Sequence, residues 1–259
     1  MATLTTRDGT RIFYKVRGEG RPPFIFIHGW CSNLAHWDAQ TRHFGKRHRV
    51  LAVDRRGQGR SDVPPGGYTG KQHAADLAEV ARKEKIRSAI VVGHAGGGPT
   101  TLEFARSYPH LARAVVMVDS MVGPKARIGD PSDPAGRALG ALIDSFEGPG
   151  GAAEFKKMYS GLFSRHAGPA GRQAVADAAK TPREVVAAEL ESLAINTLGI
   201  AKRLEQPVLW LTAAAANEAA VGKAFRNVQF ARTVGSGHFP HIEVPEQTNA
   251  MIERFVSTL

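Results

Sequence analysis

The stretch "VVGHAGGGPT", from Val91 to Thr100, decides the fold that this sequence predicts. It continues an apolar run and leads into "TTLEFARSY", a segment with helical spacing. Glycines on both sides of a central residue allow a strand-to-helix turn so tight that larger flanking side chains would collide with neighbouring elements. Such a turn presents its central residue, here Ala95, at the carboxyl edge of a parallel sheet, where a helix N-terminus favours negative charge.

Two other uses of a glycine-rich turn fit this sequence poorly. A phosphate-binding loop would continue with Gly-Lys-Ser or Gly-Lys-Thr, and this turn does not. A dinucleotide-binding fingerprint would place Gly-x-Gly-x-x-Gly in the first strand–helix unit, and no such motif occurs there. The turn is therefore more typical of one that carries a nucleophile.

Apolar runs on both sides of this turn predict further strands. Their nearly continuous apolar character is typical of strands that are buried on both faces of a parallel sheet, and segments with helical spacing lie between them. The dipeptide Asp8-Gly9 predicts an antiparallel hairpin at the start of the chain. The predicted strands of this doubly wound α/β fold are Thr3–Thr6, Arg11–Val16, Phe24–His28, Val50–Asp54, Ala89–Gly93, Ala114–Asp119, Pro207–Thr212 and Val228–Thr233.

The alternation of strands and helices stops between residues 121 and 205. Glycines and prolines break this segment into helical pieces such as "AEFKKMYSGLFSRH" and "PREVVAAELESLAINTL", in which apolar residues recur three and four positions apart. We therefore expect a core domain of residues 1–120 and 206–259 and an inserted helical cap of residues 121–205. The core should end in the amphipathic helix "EQTNAMIERFVSTL".

Composition limits the classes of partner. The 259 residues include 34 Lys and Arg against 24 Asp and Glu, a net charge of +10, but the basic residues are scattered with few aromatics among them. We therefore expect no nucleic-acid partner. A single cysteine, Cys31, excludes an internal disulfide. No apolar run approaches the roughly 20 residues of a membrane span, and "MATLTTRDGTRIFYK" lacks a signal-peptide core. We therefore expect a cytoplasmic protein without a membrane partner. The expected oligomeric state is a monomer or a homodimer.

Two further motifs carry chemistry. "HGWC", His28 to Cys31, follows a predicted strand, and a backbone N–H just after a His-Gly pair can join that of Gly96 to form an oxyanion hole. "GSGHFPHIEVPE" places His238 in the loop between the last strand and the last helix. His241 is the fallback base, although Pro240 beside it indicates packing.

With these motifs in their order, the chain resembles an α/β-hydrolase of the esterase, lactonase and epoxide-hydrolase type. "HGW", "DRRGQGRSD", the glycine turn and "GHFPHIEVPE" have the family's order and spacing, and the resemblance covers nearly everything except the cap. It implies a mostly parallel eight-stranded sheet flanked by helices, with an inserted helical cap. It also implies Ala95 at the nucleophile position, His238 as general base, and the N–H groups of Trp30 and Gly96 as the oxyanion hole. The family turn at Asp54, Arg56, Gly57 and Gly59 is mainly structural.

The acid that should orient His238 is the first departure from the family pattern. Family members usually carry it after the penultimate strand, which here is the stretch around Ala216, where Asn217 and Glu218 follow. Some members carry the acid after the sixth strand, and Asp119 closes that run here. We favour Asp119, with Glu218 as the fallback.

Ala95 is the second departure, because a methyl group cannot attack a carbonyl carbon. The chain is either a natural non-hydrolase or a hydrolase whose turn serine has been replaced. We favour replacement, since His238, His28-Gly29 and the flanking glycines are all retained.

The expected function is therefore that of a serine hydrolase of a small carboxylic ester or lactone, present as an impaired nucleophile variant. No cofactor or metal is expected. One alternative is a cofactor-independent dioxygenase with a His/Asp dyad, which resembles this pattern and tolerates alanine at the turn. Another is a non-catalytic ligand-binding homologue. The predicted substrate-binding residues are Gly29, Trp30, His94, Met121, Phe155, Tyr159, Phe163 and Phe239, although the cap aromatics, at helical spacing of four, form a core stripe first.

Overall fold

The computed structural model describes residues 1–214 and 218–259. Within these ranges an eight-stranded sheet has the order β1-β2-β4-β3-β5-β6-β7-β8. The first two pairings, β1 with β2 and β2 with β4, are antiparallel, and all the others are parallel. The strands are β1 (Ala2–Thr5), β2 (Arg11–Arg17), β3 (Phe24–Ile27), β4 (Val50–Val53), β5 (Ala89–His94), β6 (Ala112–Val118), β7 (Val208–Thr212) and β8 (Val228–Arg232).

Helices follow most of the strands. Short 3-10 helices, Leu34–Trp37 and Pro109–Leu111, precede α1 and β6 respectively. The α-helices are α1 (Asp38–Phe44), α2 (Gly70–Lys83), α3 (Gly97–Ser107), α4 (Pro134–Glu147), α5 (Gly151–Gly161), α6 (Gly168–Ala178), α7 (Arg183–Ser192), α8 (Thr197–Ala201), α9 (Glu218–Ala224), α10 (Pro240–Glu243) and α11 (Pro245–Val256). None of the helices in the described part of the chain combines the length and the apolar character that crossing a bilayer requires.

The central strands are buried on both faces, as their sequences predict. In β3, Ile25 and Ile27 pack on one face with α2 and α3, whereas Phe24 and Phe26 pack on the other face with α1 and α11. Successive side chains of a strand point to opposite faces, so one apolar run supplies both layers. The fold is therefore the predicted α/β-hydrolase fold.

The register of the parallel strands brings the functional loops together. Ile27 of β3 pairs with Gly93 of β5, and His94 of β5 pairs with Val118 of β6. The carboxyl ends of these three strands are therefore nearly level. The residues that follow them, around Trp30, Ala95 and Asp119, meet at one edge of the sheet.

Helices α4 to α8, which we call the cap, occupy the segment between β6 and β7. The two helical pieces quoted from the sequence are shorter than their spacing suggests. The first, α5, ends at Gly161, and the second is divided into α7 and α8, with the side chain of Asn196 accepting a hydrogen bond from the N–H of Gly199 at the start of α8. The four-residue helix α10 was not predicted.

Candidate active site

Ala95 lies at the apex of the glycine-rich turn in a strained backbone conformation, with φ of +46°. The flanking residues must be glycines, because a Cβ atom at either position would collide with neighbouring atoms. A Cβ on Gly93 would lie 2.0 Å from Oγ1 of Thr101, and one on Gly97 would lie 2.5 Å from the carbonyl oxygen of His28. Cys31 and Asp119 also have positive φ, 48° and 42°. Such strain persists only where the surrounding structure enforces it, and it clusters at functional sites.

His238 and Asp119 form a close hydrogen-bonded pair. Nδ1 of His238 lies 2.6 Å from Oδ2 of Asp119, while Oδ1 accepts hydrogen bonds of 2.9 Å from the N–H of Ala213 and the hydroxyl of Thr212. Burial would raise the pKa of the Asp119 carboxyl, but these hydrogen bonds outweigh it and hold the pKa below its ordinary value. An ionised Asp119 orients the imidazole and leaves Nε2 as the nitrogen available for proton transfer.

The fallback acid, Glu218, lies elsewhere. It is exposed at the start of α9, and the hydrogen bonds of His238 run to Asp119, His94 and Leu162 instead. Asn217, the other candidate in this stretch, lies outside the described residues, as does Ala216. The structure thus brings Asp119, and not Glu218, to the imidazole of His238.

The predicted oxyanion-hole residues approach each other closely. A Cβ on Gly96 would lie 3.1 Å from the backbone nitrogen of Trp30. Neither N–H group donates to a protein acceptor in residues 1–214 and 218–259. Gly96 also directly precedes α3, so the positive end of that helix lies at the same place. The arrangement can stabilise a developing negative charge beside Ala95.

Aromatic side chains of the cap pack on Trp30. Its ring centroid lies 5.9 Å from that of Phe146, 5.4 Å from that of Phe155 and 6.3 Å from that of Tyr159. Phe163 stacks on Phe239 at 4.2 Å. Phe155, Tyr159 and Phe239 are buried, so these rings form the core between the cap and the sheet. Whether they also contact substrate stays a prediction.

The other predicted binding residues differ in burial. Gly29 is buried, and a Cβ there would lie 2.8 Å from Nδ1 of His94. His94 is also buried, and its Nε2–H donates to the carbonyl of His238 over 2.8 Å. The fallback base His241 is buried as well, with its ring 4.2 Å from that of Trp37. Met121 stands apart because 78% of it is exposed.

A buried charge network beside Trp30 was not predicted. Nη1 of Arg55 donates to Oε2 of Glu189 over 2.8 Å, and the other carboxylate oxygen lies 2.8 Å from Nε2 of His73. Burial alone would raise the pKa of Glu189, but Arg55 and His73 outweigh it and lower that pKa. Glu189 belongs to α7 of the cap, whereas Arg55 follows β4, so the pair joins the cap to the core.

Ser120 is a second residue that the sequence did not single out. Its hydroxyl donates to the carbonyl oxygen of Ala95 over 2.9 Å and so fixes the apex of the turn against the loop that carries Asp119.

In the described ranges, no three His, Cys, Asp or Glu side chains are arranged to hold a metal ion.

A glycine-flanked strand-to-helix turn, a His–Asp pair and two converging backbone N–H groups at the carboxyl edge of a mostly parallel sheet define a hydrolase-type α/β protein. A family model described as the alpha/beta hydrolase fold matches residues 22–245. The chain belongs to the α/β-hydrolase family.

The relatives that this chain resembles are named for several different activities. The chain is 38% identical over 149 residues to a non-heme chloroperoxidase of Streptomyces lividans, an alignment that covers 56% of this chain and 53% of that protein. It is 39% identical over 126 residues to a bifunctional esterase/perhydrolase of Acinetobacter calcoaceticus, covering 48% of this chain and 46% of that protein. The chain thus spans about half the length of the curated relatives that it matches.

Solved structures resemble the whole chain at low identity. An esterase from Thermogutta terrifontis superposes with a TM-score of 0.84 and 23% identity, covering 99% of this chain and 98% of that one. An enol-lactonase from Burkholderia xenovorans superposes with a TM-score of 0.83 and 21% identity, covering 99% of this chain and 100% of that one. At these identities the likeness establishes the fold alone.

Proposed function

We propose that this protein is a carboxylic ester or lactone hydrolase whose nucleophile position is occupied by Ala95. The observation that carries the proposal is the 2.6 Å pair of His238 and Asp119, which lies at the same sheet edge as the glycine-rich turn and the N–H groups of Trp30 and Gly96. Similarity to a relative named as an esterase/perhydrolase supports the reaction class.

With serine at position 95, the reaction follows the serine-hydrolase course. The serine oxygen attacks the ester carbonyl carbon as His238 takes the hydroxyl proton, and the carbonyl oxygen, now negative, receives hydrogen bonds from Trp30 and Gly96. The intermediate collapses and expels the alcohol, which takes the proton from His238. Water, deprotonated by the same imidazole, then releases the acid.

With Ala95 no acyl-enzyme forms, because the methyl group has no lone pair to donate. The remaining groups still bind a carbonyl compound and polarise its oxygen. We therefore expect ester binding with turnover lower by several orders of magnitude than in the serine form.

The test is Ala95→Ser, assayed with short p-nitrophenyl esters and a panel of lactones. We expect hydrolysis at least about 10³-fold above the unchanged chain, the scale on which single triad members act. Adding His238→Ala should abolish the gain, whereas the matched change His110→Ala, at an exposed histidine, should not. Activity that survives His238→Ala would refute the assignment of the base, and no hydrolysis of any ester or lactone would refute the proposal.

The second candidate is a cofactor-independent dioxygenase, favoured by an intact His–Asp pair beside a residue that is not a nucleophile. In that reaction His238 takes a proton from a heteroaromatic substrate, and the resulting anion reacts with oxygen. An oxygen electrode separates the two functions, since oxygen uptake that persists with Ala95 would overturn the hydrolase proposal. A ligand-binding homologue would bind esters yet stay inactive after Ala95→Ser.

A further inference from the structure

The peptide group between Gly29 and Trp30 is held strongly at its carbonyl end. The Gly29 oxygen lies 3.0 Å from Nη2 of Arg55 and 2.9 Å from Nδ1 of His28. Nε2 of His28 accepts a hydrogen bond of 2.9 Å from the N–H of Arg55, so the proton of this neutral ring is on Nδ1 and is donated to Gly29. Two donors thus converge on one carbonyl oxygen, and one of them is charged.

The N–H of Trp30 belongs to the same peptide group. Hydrogen bonds in a chain polarise one another, and donation to the carbonyl oxygen makes the N–H on the other side of the peptide a stronger donor. The plane of the peptide also fixes the direction of that N–H once its oxygen is held. Contacts at Gly29 therefore determine how the Trp30 N–H meets a bound oxygen atom.

The guanidinium of Arg55 is itself held from the cap. Its side chain is 3% exposed, and its buried partner Glu189 is 1% exposed. Replacing a buried ion pair by apolar side chains is often neutral or favourable for stability, so stability alone does not account for this pair. The geometry of the pair accounts for it, because Glu189 binds Nη1 of Arg55 and leaves Nη2 directed at the Gly29 oxygen.

Helix α7 also contacts the side chain of Trp30. The indole Nε1–H donates to the carbonyl oxygen of Val186 over 3.1 Å, one turn before Glu189. The same helix therefore holds Trp30 twice, through the indole directly and through Glu189, Arg55 and Gly29 at the backbone.

From this geometry we propose that Arg55 and Glu189 are positioning residues, which couple helix α7 of the cap to the oxyanion-hole N–H of Trp30. The inference rests on the proposed function in assigning that N–H to an oxyanion hole. The coupling transmits the position of α7 to the donor, so the donor is strong only while the cap is docked.

The first test needs no activity. The amide resonance of Trp30 is compared by NMR in the unchanged chain, in Glu189→Gln and in Asp76→Asn. Asp76 pairs with Arg56 at 2.7 Å and is also almost completely buried, so its variant controls for the loss of a buried carboxylate. We expect Glu189→Gln to shift the Trp30 amide to lower frequency, which indicates a weaker donor, and Asp76→Asn to leave it unchanged. A resonance that responds equally to both variants, or to neither, overturns the coupling.

The second test uses the Ala95→Ser background and p-nitrophenyl acetate. Loss of one oxyanion donor costs roughly 10²–10³ in kcat, so weakening one through Glu189→Gln should cost about tenfold in kcat with KM unchanged. Arg55→Lys, which keeps the charge, should retain more activity than Arg55→Met. Asp76→Asn should leave kcat unchanged, and an equal loss in Asp76→Asn would overturn the inference. If Ala95→Ser is inactive, the proposed function fails, while the amide resonance still decides the coupling.

Discussion

The two sides of the candidate site are held by different parts of the molecule. On the base side, Asp119 follows β6 and accepts hydrogen bonds from Thr212 and Ala213, at the end of the neighbouring strand. One contact of this side comes from the segment between β6 and β7, since the N–H of His238 donates to the carbonyl oxygen of Leu162. On the Trp30 side, helix α7 supplies the carbonyl of Val186 to the indole and the carboxylate of Glu189 to Arg55, and rings of α4 and α5 pack on the indole. The base is thus determined mainly by sheet register, whereas the Trp30 donor depends on how the cap docks.

Breaking the base side should have the largest effect. In the Ala95→Ser background, Asp119→Asn keeps the shape of the side chain but no longer enforces the productive tautomer of His238, and we expect kcat to fall by about 10⁴. Glu218→Gln, the matched change at the exposed fallback position, should leave kcat nearly unchanged. Initial rates of p-nitrophenyl ester hydrolysis measure both. The opposite ranking would move the acid to the loop after β7.

Removing the Arg55–Glu189 ion pair on the Trp30 side should lower the free energy of unfolding as well as the rate of hydrolysis. Glu189→Ala removes one partner of a buried ion pair and leaves Arg55 uncompensated, so we expect the free energy of unfolding to fall by about 3–5 kcal/mol. Glu191→Ala, at an exposed position of the same helix, should change it by less than about 0.5 kcal/mol. Urea denaturation of the unchanged chain and both variants measures the difference. Equal effects would mean that Glu189 does not join cap and core.

The base side was accessible from sequence because it depends on local patterns. Strands buried on both faces produce apolar runs, and their predicted bounds differ from the observed ones by at most two residues. Asp119 closes one such run and His238 follows another, so the topology brings them to one edge without any knowledge of the cap. The structure describes that contact, while the catalytic roles of both residues stay predictions.

Trp30 itself was predicted from sequence, but the contacts that hold it were not, because they join residues distant in the chain. Arg55 and Glu189 are 134 positions apart, and no spacing rule relates them. One signal did exist. Glu189 lies three and four residues after Val186 and Val185, so a carboxylate continues the buried face of the helix. A charge in that position predicts a buried partner but does not identify which one.

Acid acts on the buried imidazoles and on the Glu189 carboxylate in different pH windows. Burial lowers the pKa of five imidazoles, and it lowers that of His36 to about 4. In the unfolded chain the pKa of a histidine is 6.5. The unfolded chain therefore binds more protons below pH 6.5, and stability present above pH 6.5 is lost as the pH falls. Glu189, with a lowered pKa, contributes stability that is present above its unfolded value of 4.5 and is lost only below it. The five histidines are His28, His36, His73, His94 and His241.

We expect the free energy of unfolding to fall between pH 6.5 and 4.5, with each buried imidazole contributing up to about 1.4 kcal/mol per pH unit. Asp54 opposes this loss, because burial raises its pKa to about 6 and its folded form takes up a proton first. Urea denaturation at several pH values should therefore give a shallower slope for His36→Phe and an unchanged slope for His110→Gln, at an exposed histidine. A His36→Phe slope equal to that of the unchanged chain would contradict this prediction, because it would show that His36 takes up a proton as readily in the folded chain as in the unfolded chain.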